Sequence, residues 1–215
     1  MGIAELDIHQ KQLLIRSHII TYGNAADEAV TKYISQEIET MWNEPQAVVL
    51  LQSASFSVRF KITAAVKREI EELEVLQNDD PRNNYFRIEE YASGNISFVD
   101  GVGSNSGYFK LDNLYEGSTT AAHEFGHTIG LDHPRDLDIR GQGIPGIMYP
   151  RGTLADPMFQ YDPSMPAGTK GGTLNPQYRK VLPQDISNLK LSRLKFRNNA
   201  AIVGEFTNVF HWAHR

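Results

Sequence analysis

The chain has 215 residues with a formal net charge of −5, and its 40% hydrophobic and 22% charged residues are ordinary globular proportions. The acidic balance, without a long basic run, argues against a nucleic-acid partner. The absence of cysteine excludes disulfides, a thiolate nucleophile and zinc sites built on cysteine. No apolar run approaches the ~18 residues of a membrane span, so we expect no membrane-spanning segment.

The first half of the chain alternates patterns typical of strands and helices. Residues 12–22 are rich in β-branched side chains and predict a strand. Helical spacing predicts a helix from Ala25 to Asn43, with Asn24 as its cap. A strand from Phe56 to Ile62 and a surface helix from Ala64 to Gln77 follow. Three further short strands are predicted over Tyr85–Tyr91, Asn95–Val99 and Tyr108–Leu111.

The second half begins with a helix and then loses its periodicity. A helix is predicted from Glu116 to Leu131, with Ser118 or Thr119 as its cap. From Pro134 to Pro183 prolines and glycines dominate, which predicts an irregular subdomain. A last helix is predicted to begin at Pro183, because a proline is tolerated in the first turn of a helix. The tail from Asn198 to Arg215 is predicted to be an extra strand or a docking segment.

The predicted helix in the middle of the chain carries the pattern His-Glu-x-x-His-x-x-Gly-x-x-His. His123 and His127 are four residues apart, so they lie on one helix face and can bind one ion. Gly130 allows the helix to end and the chain to turn, which brings His133 back as a third ligand. Imidazole nitrogen suits zinc, and a catalytic zinc takes three protein ligands and an open position for water. Glu124 is better placed to take a proton from that water than to bind the metal.

A methionine in the tight segment Gly146–Pro150 completes a known signature. On these residues the chain resembles the metzincin clan of zinc peptidases. Within the clan, Ala121–His127 and Met148-Tyr149-Pro150 are most similar to the matrixins. The resemblance implies an α+β fold, with a twisted mixed sheet and long helices above an irregular lower subdomain and an active-site cleft between them. It also implies that Met148 supports the floor beneath the histidines.

The resemblance implies one catalytic domain. Its N-terminal subdomain would be residues 1–133, its lower subdomain residues 134–197 and its extra tail residues 198–215. The implied function is a zinc-dependent endopeptidase with one catalytic Zn²⁺ and a protein or peptide substrate. In this function Glu124 acts first as general base and then as general acid.

Substrate binding is expected along one edge of the sheet. In the clan an edge strand runs antiparallel to the bound peptide, and Asn95–Val99 is the candidate here, with an ordinary core strand as the alternative. The segment after Met148 is expected to form the wall of the pocket for the residue after the cut. Tyr149 is expected to be a wall or packing residue rather than a zinc ligand. The expected substrate-binding residues are Ile96, Ser97, Phe98, Val99, Tyr149 and Pro150.

Two matrixin features are missing or doubtful in this chain. No histidine lies between His18 and His123, so the second, structural zinc of matrixins cannot be bound as that family binds it. Calcium is a weaker second cofactor, because hard-cation sites need six or more oxygens and no EF-hand spacing is present. Its candidate ligands form an acidic loop that we expect to be solvated, namely Asp132, Asp136 and Asp138.

The setting of the protein leaves several readings open. Metzincins usually act outside the cell, which favours a secreted protein, although Met1 to Leu14 lacks the pattern of a signal peptide. Without a cysteine to block the zinc, latency would need a carboxylate, a pro-segment or an inhibitor. The alternatives are a toxin or effector domain of a longer secreted chain, a cytosolic peptidase that trims small peptides, and a zinc-stabilised scaffold without turnover.

Overall fold

The computed structural model describes residues 1–51, 53–169 and 171–214. In these residues it shows an α+β fold with one mixed eight-stranded sheet. None of the described helices is long and apolar enough to span a membrane. The strands are β1 (Gly2–Asp7), β2 (Gln12–Tyr22), β3 (Val48–Leu51), β4 (Ala54–Val66), β5 (Asn83–Glu89), β6 (Phe98–Val99), β7 (Ser106–Lys110) and β8 (Ala200–Val203), and the α-helices are α1 (Glu28–Asn43), α2 (Glu72–Leu76), α3 (Thr120–Thr128) and α4 (Pro183–Asn188).

The long strand β2 is the centre of the sheet. It runs parallel to β4 along nearly its whole length. Its other edge is divided, because residues 12–16 pair antiparallel with β1 and residues 18–22 pair parallel with β5. The main path across the sheet is β3-β4-β2-β5-β7-β6, so β6 is the last strand at one edge.

Helix α1 covers one face of the sheet and meets α3 there. Its buried residues Ile34, Ile38 and Trp42 recur at helical spacing, and they pack against the alternating apolar side chains of β4. The Trp42 ring lies 5.3 Å from the Phe60 ring and 5.9 Å from the Phe125 ring of α3. The Trp42 indole N–H also donates to the Ala122 carbonyl at 3.0 Å. This aromatic contact fixes where α3 crosses the core.

Helix α1 begins later than predicted. The sequence pattern places its start at Ala25 with Asn24 as the cap, but the first helical residue is Glu28. Its N-cap is Asp27, whose carboxylate accepts the Val30 N–H at 2.8 Å. The residues before it are held by the sheet instead, since the Ala25 N–H donates to the Ile88 carbonyl of β5.

The predicted helix from Ala64 to Gln77 is mostly wrong. Residues 64–66 extend β4, where they pair in register with residues 19–21 of β2. Only Glu72–Leu76 is helical. The apolar spacing fits a helix, but pairing with the long neighbouring strand outweighs that local preference.

The tail forms the extra strand that was one of its two predicted roles. Strand β8 pairs antiparallel with β1, a strand that the sequence patterns did not predict. After β8 the chain runs over Asn105, which is fully buried. The Asn105 side-chain oxygen accepts the N–H groups of Thr207 and Asn208 at 3.0 and 2.9 Å, and its amide donates to the Asn208 side chain at 2.8 Å. One buried amide therefore fastens the tail to the sheet.

We predict that Asn105→Ala lowers the free energy of unfolding by about 2 to 4 kcal/mol, because it removes all the hydrogen bonds between this buried amide and the tail and leaves a cavity in the sheet. Urea denaturation measures the change, and limited proteolysis should show cleavage in residues 206–214. Asn188→Ala, at the exposed end of α4, is the control and should change stability by less than about 0.5 kcal/mol. A loss below about 1 kcal/mol for Asn105→Ala would contradict the role of this residue.

Candidate metal centre

Helix α3 carries the first two histidines and is shorter than predicted. It spans Thr120–Thr128 rather than Glu116–Leu131. Thr119 is the N-cap, but its left-handed φ of 56° sharply breaks the chain path before the helix, and its hydroxyl donates to the Pro176 carbonyl instead of capping. Gly130, with a φ of +100°, terminates the other end.

The end of α3 returns the chain towards the histidines. The Gly130 N–H donates to the His127 carbonyl at 3.0 Å, and the Leu131 N–H donates to the Gly126 carbonyl at 2.9 Å. This is the Schellman pattern of a helix end, which needs a residue that tolerates positive φ. The reversal places His133 beside His127, as the spacing in the sequence predicts.

The three imidazole rings converge on one point. His133 Nε2 lies 3.1 Å from both His123 Nε2 and His127 Nε2. Across the described residues these three histidines are the one group able to hold a metal ion, and their ligand atoms lie within 4.8 Å of one another. Three nitrogens bound to a tetrahedral zinc at about 2.0–2.1 Å would be about 3.3 Å apart. The observed spacing fits zinc.

Backbone carbonyls fix the orientation of two of these rings. His123 Nδ1 lies 2.7 Å from the Ile147 carbonyl, and His127 Nδ1 lies 2.7 Å from the Leu131 carbonyl. A carbonyl only accepts, so each Nδ1 carries the proton and each Nε2 presents a lone pair. One proton on His133 Nε2 could satisfy only one of its two close contacts, whereas a cation satisfies all three nitrogens. Burial lowers the pKa of all three histidines, which favours the neutral form that binds metal.

Glu124 lies in the same cleft as the three histidines. Burial raises the pKa of its carboxyl to about 8, and the charge of Arg179 and the backbone N–H of Val99 act in the opposite direction. A cation bound by the neighbouring histidines would further favour the carboxylate. The carboxylate form is the one that can accept a proton from a group in the cleft.

Met148 packs against α3 at Gly126. It is buried, and its side chain fills the space beside Gly126. A Cβ at position 126 would lie 3.1 Å from Met148 Cε and 3.2 Å from Trp42 Cζ2, and closer still to Met148 Sδ. The preceding Ile147 carbonyl is the partner of His123. The predicted supporting role of Met148 is compatible with this position.

Two side chains that the motif does not contain hold the start of α3, and the first is the half-buried Glu37 of α1. Its carboxylate accepts the Ala122 N–H at 3.1 Å. A negative charge at a helix N-terminus is favourable, and it replaces the side-chain cap that Thr119 does not provide. Burial raises the pKa of Glu37, while hydrogen bonds from Tyr33 and the α3 backbone lower it. Glu37 fits the ordinary polar pattern of α1, so the sequence contained no signal for this role.

The second is Arg179, which is only 5% exposed. Its Nε donates to Thr119 Oγ1 at 2.9 Å, its Nη1 to the Tyr149 carbonyl at 3.1 Å and its Nη2 to the Ser118 carbonyl at 3.3 Å. Nη1 also lies 3.0 Å from His123 Nδ1. Burial lowers the pKa of Arg179 to about 10, so it remains a cation at neutral pH. The residue lies in the irregular segment, where no sequence pattern marks it.

A cleft of about 390 Å³ contains the three histidines, Glu124 and most of the predicted substrate-binding residues. Ile96, Ser97, Phe98, Val99 and Pro150 line it. Tyr149 instead packs against a small apolar cluster of the lower part of the chain, which consists of Ile139, Ala155 and Leu174.

The predicted edge strand is shorter than expected but lies at an edge. Only Phe98 and Val99 are in β6, because Gly94 and Asn95 adopt positive φ values of 73° and 56° and form a turn. Val99 pairs with Gly107, and the next residue, Asp100, donates to the Ser106 carbonyl. Ladder bonds alternate, so Val99 directs its backbone groups away from β7 and towards the cleft. The alternative of a core strand is therefore wrong.

The three acidic residues proposed for calcium do not form a cluster. Asp138 pairs with Arg140, and Asp136 and Asp132 accept backbone N–H groups from Asp138 and His133. Within residues 1–51, 53–169 and 171–214 only the histidines form a metal-binding group. Asp132 and Asp136 are exposed and Asp138 is half-buried, so these acids lie at the surface.

Comparisons with solved structures find several similar chains, among them an archaemetzincin and myroilysin. No model of a protein family matches the chain, and no curated protein sequence matches it. Archaemetzincin (AmzA) from Methanopyrus kandleri is similar with a TM-score of 0.44 and 10% identity over 82% of this chain and 95% of that one. Myroilysin is similar with a TM-score of 0.31 and 14% identity over 67% of this chain and 60% of that one.

We predict that Gly126→Ala lowers the free energy of unfolding by about 1 to 3 kcal/mol and weakens zinc binding, because the new methyl overlaps the Met148 side chain. At a helix position without such a contact, replacing glycine by alanine stabilises the protein by about 1 kcal/mol. The sign of the change in the free energy of unfolding therefore shows whether the new methyl overlaps Met148. Thermal unfolding and zinc titration measure the two effects.

The control for this test is Gly152→Ala. No described atom lies within 4 Å of a Cβ at Gly152, and its φ is not in the left-handed region. Its stability should therefore stay within about 0.5 kcal/mol of the parent. A stabilised Gly126→Ala protein would show that Met148 is not packed against the helix in this way.

Proposed function

We propose that this protein is a zinc-dependent endopeptidase of the metzincin type that hydrolyses peptide bonds of proteins outside the cell. The observation that carries the proposal is the convergence of three imidazole Nε2 atoms beside the buried carboxyl of Glu124, in a cleft bordered by an open sheet edge. An open edge accepts an extended peptide through backbone hydrogen bonds, with little demand on its side chains.

The residues divide the chemistry between them. Zinc held by His123, His127 and His133 would lower the pKa of a water molecule to about 7 and polarise the substrate carbonyl. Glu124 accepts the proton of the attacking water and then delivers it to the leaving amine. The Ile147 and Leu131 carbonyls keep two ligand rings in the required tautomer.

The backbone of β6 supports the proposed substrate position. Val99 directs its carbonyl towards the cleft, and its N–H lies against the Glu124 carboxyl. A peptide beside this strand would therefore pass next to the proton acceptor. Because only two residues are in the strand, we expect the pairing to be short and centred on Val99.

We predict that Glu124→Gln retains one bound zinc while kcat falls by about two to four orders of magnitude, because the amide keeps the shape of the side chain but cannot accept the proton. Kinetics on a peptide substrate and elemental analysis of the dialysed variant measure the two quantities. Loss of the metal from the variant would mean that Glu124 is a ligand. Near-full activity would mean that it is not the base.

We also predict one zinc per chain, and loss of casein or gelatin digestion after chelation that returns when zinc is added. The single cluster of described ligands is the reason. His133→Ala should abolish high-affinity zinc binding, whereas His18→Ala, on β2 and outside the cluster, should not change it. A zinc-loaded protein that digests neither protein nor short peptides would favour the non-catalytic scaffold. Activity on short peptides alone would favour a trimming peptidase.

A further inference from the structure

The charged side chains around the cleft are mostly positive. Among its described lining residues, Arg151 and Arg179 are the cationic side chains and Glu124 is the one acid. The chain as a whole carries a net charge of −5, so this local excess does not follow from a generally basic protein. A zinc ion on the histidines would add to the same sign of charge.

The two arginines differ in what they can still bind. Arg179 is buried, and each of its three nitrogens already donates to Thr119, Tyr149 or Ser118. It therefore supplies a fixed positive charge. Arg151 is exposed, and in the described part of the chain its guanidinium has no hydrogen-bond or ion-pair partner. Its planar fork is free to bind a carboxylate through two parallel hydrogen bonds.

The position of Arg151 relates it to one part of the substrate. It directly follows Pro150, which lines the cleft, in the segment expected to form the wall for the residue after the cut. A side chain in that pocket would meet Arg151 at its exposed side and the field of Arg179 at its buried side. A lysine or arginine there would be repelled by both charges.

We propose that the cleft selects peptides that carry a carboxylate at the residue immediately after the cleaved bond, and that Arg151 is the residue that binds it. This inference rests on the proposed peptidase function and adds a substrate class to it. The carboxylate could belong to an Asp or Glu side chain or to a free C-terminus, and the test separates these two sources.

The test begins with a peptide library treated with the zinc-loaded protein, which identifies a cleaved sequence. Two C-terminally amidated peptides of that sequence then carry Glu or Gln directly after the cut. Charge-assisted hydrogen bonds contribute about 1.5 to 3 kcal/mol, so kcat/KM should be about ten- to a hundredfold higher for the Glu peptide. In Arg151→Gln this ratio should fall to within about twofold of one, and in Arg151→Glu a Lys peptide should become preferred over the Glu peptide.

Two controls make the result specific to Arg151. Arg193→Gln removes the same charge at an exposed position that does not line the cleft, and it should keep the parent ratio. A third peptide ends at the Gln directly after the cut. It is prepared in two forms, one with a free C-terminal carboxylate and one with a C-terminal amide. A preference that follows this terminal carboxylate rather than the Glu side chain assigns the site to chain ends.

Binding gives a second readout that needs no turnover. In the Glu124→Gln protein the Kd of the Glu peptide should be about tenfold or more below that of the Gln peptide, and Arg151→Gln in that background should remove the difference. Cleavage without preference for either carboxylate, or a ratio that survives Arg151→Gln, overturns the inference and leaves the proposed function standing. A binding preference without any cleavage overturns the proposed function and supports carboxylate recognition. Neither cleavage nor preference overturns both.

Discussion

The rest of the site depends on the convergence of three imidazole nitrogens at 3.1 Å contacts. Neutral rings with lone pairs facing one another repel, so this arrangement needs a cation at its centre or a frame that holds it. The frame is visible in the hydrogen bonds from His123 to the Ile147 carbonyl and from His127 to the Leu131 carbonyl. Both carbonyls lie in loops, and these loops are held by the packing of α3 against Trp42 and Met148.

The support of α3 comes from parts of the chain that are distant in sequence. Glu37 reaches its first turn from α1, and Arg179 reaches Thr119 and Ser118 from the irregular segment. The charges of the half-buried Glu37 and the buried Arg179 stabilise each other, since Arg179 lowers the pKa of Glu37 and Glu37 raises the pKa of Arg179. The ligand-bearing helix is only nine residues long, so such external contacts replace the stability that a longer helix would have of its own.

Sequence patterns were sufficient to predict features that depend on residues close together along the chain. The four-residue spacing of His123 and His127, the glycine at 130 and the return of His133 all follow from helix geometry and from one residue that tolerates positive φ. Strand β2 was also predicted with its observed bounds, because it is rich in β-branched residues.

Sequence patterns did not predict the residues whose structure depends on contacts with distant parts of the chain. Residues 64–66 form a strand because β2 is long enough to pair with them, and nothing in their own sequence shows that length. Strand β3 consists of four apolar residues in a row and β1 mixes small, apolar and acidic residues, so neither sequence shows the regular alternation that marks a half-buried strand. Arg179 and Glu37 were missed for the same reason, because each is defined by the backbone groups that it meets after folding.

The most direct test of this account is a crystal structure of the zinc-loaded protein with anomalous data at the zinc absorption edge. The account predicts one anomalous peak, bound by Nε2 of His123, His127 and His133 at about 2.0–2.1 Å, with an oxygen of a small molecule in the fourth position and Glu124 outside the coordination sphere. A peak bound by the Glu124 carboxylate, coordination through an Nδ1 atom, or zinc at any other cluster of the chain would contradict it.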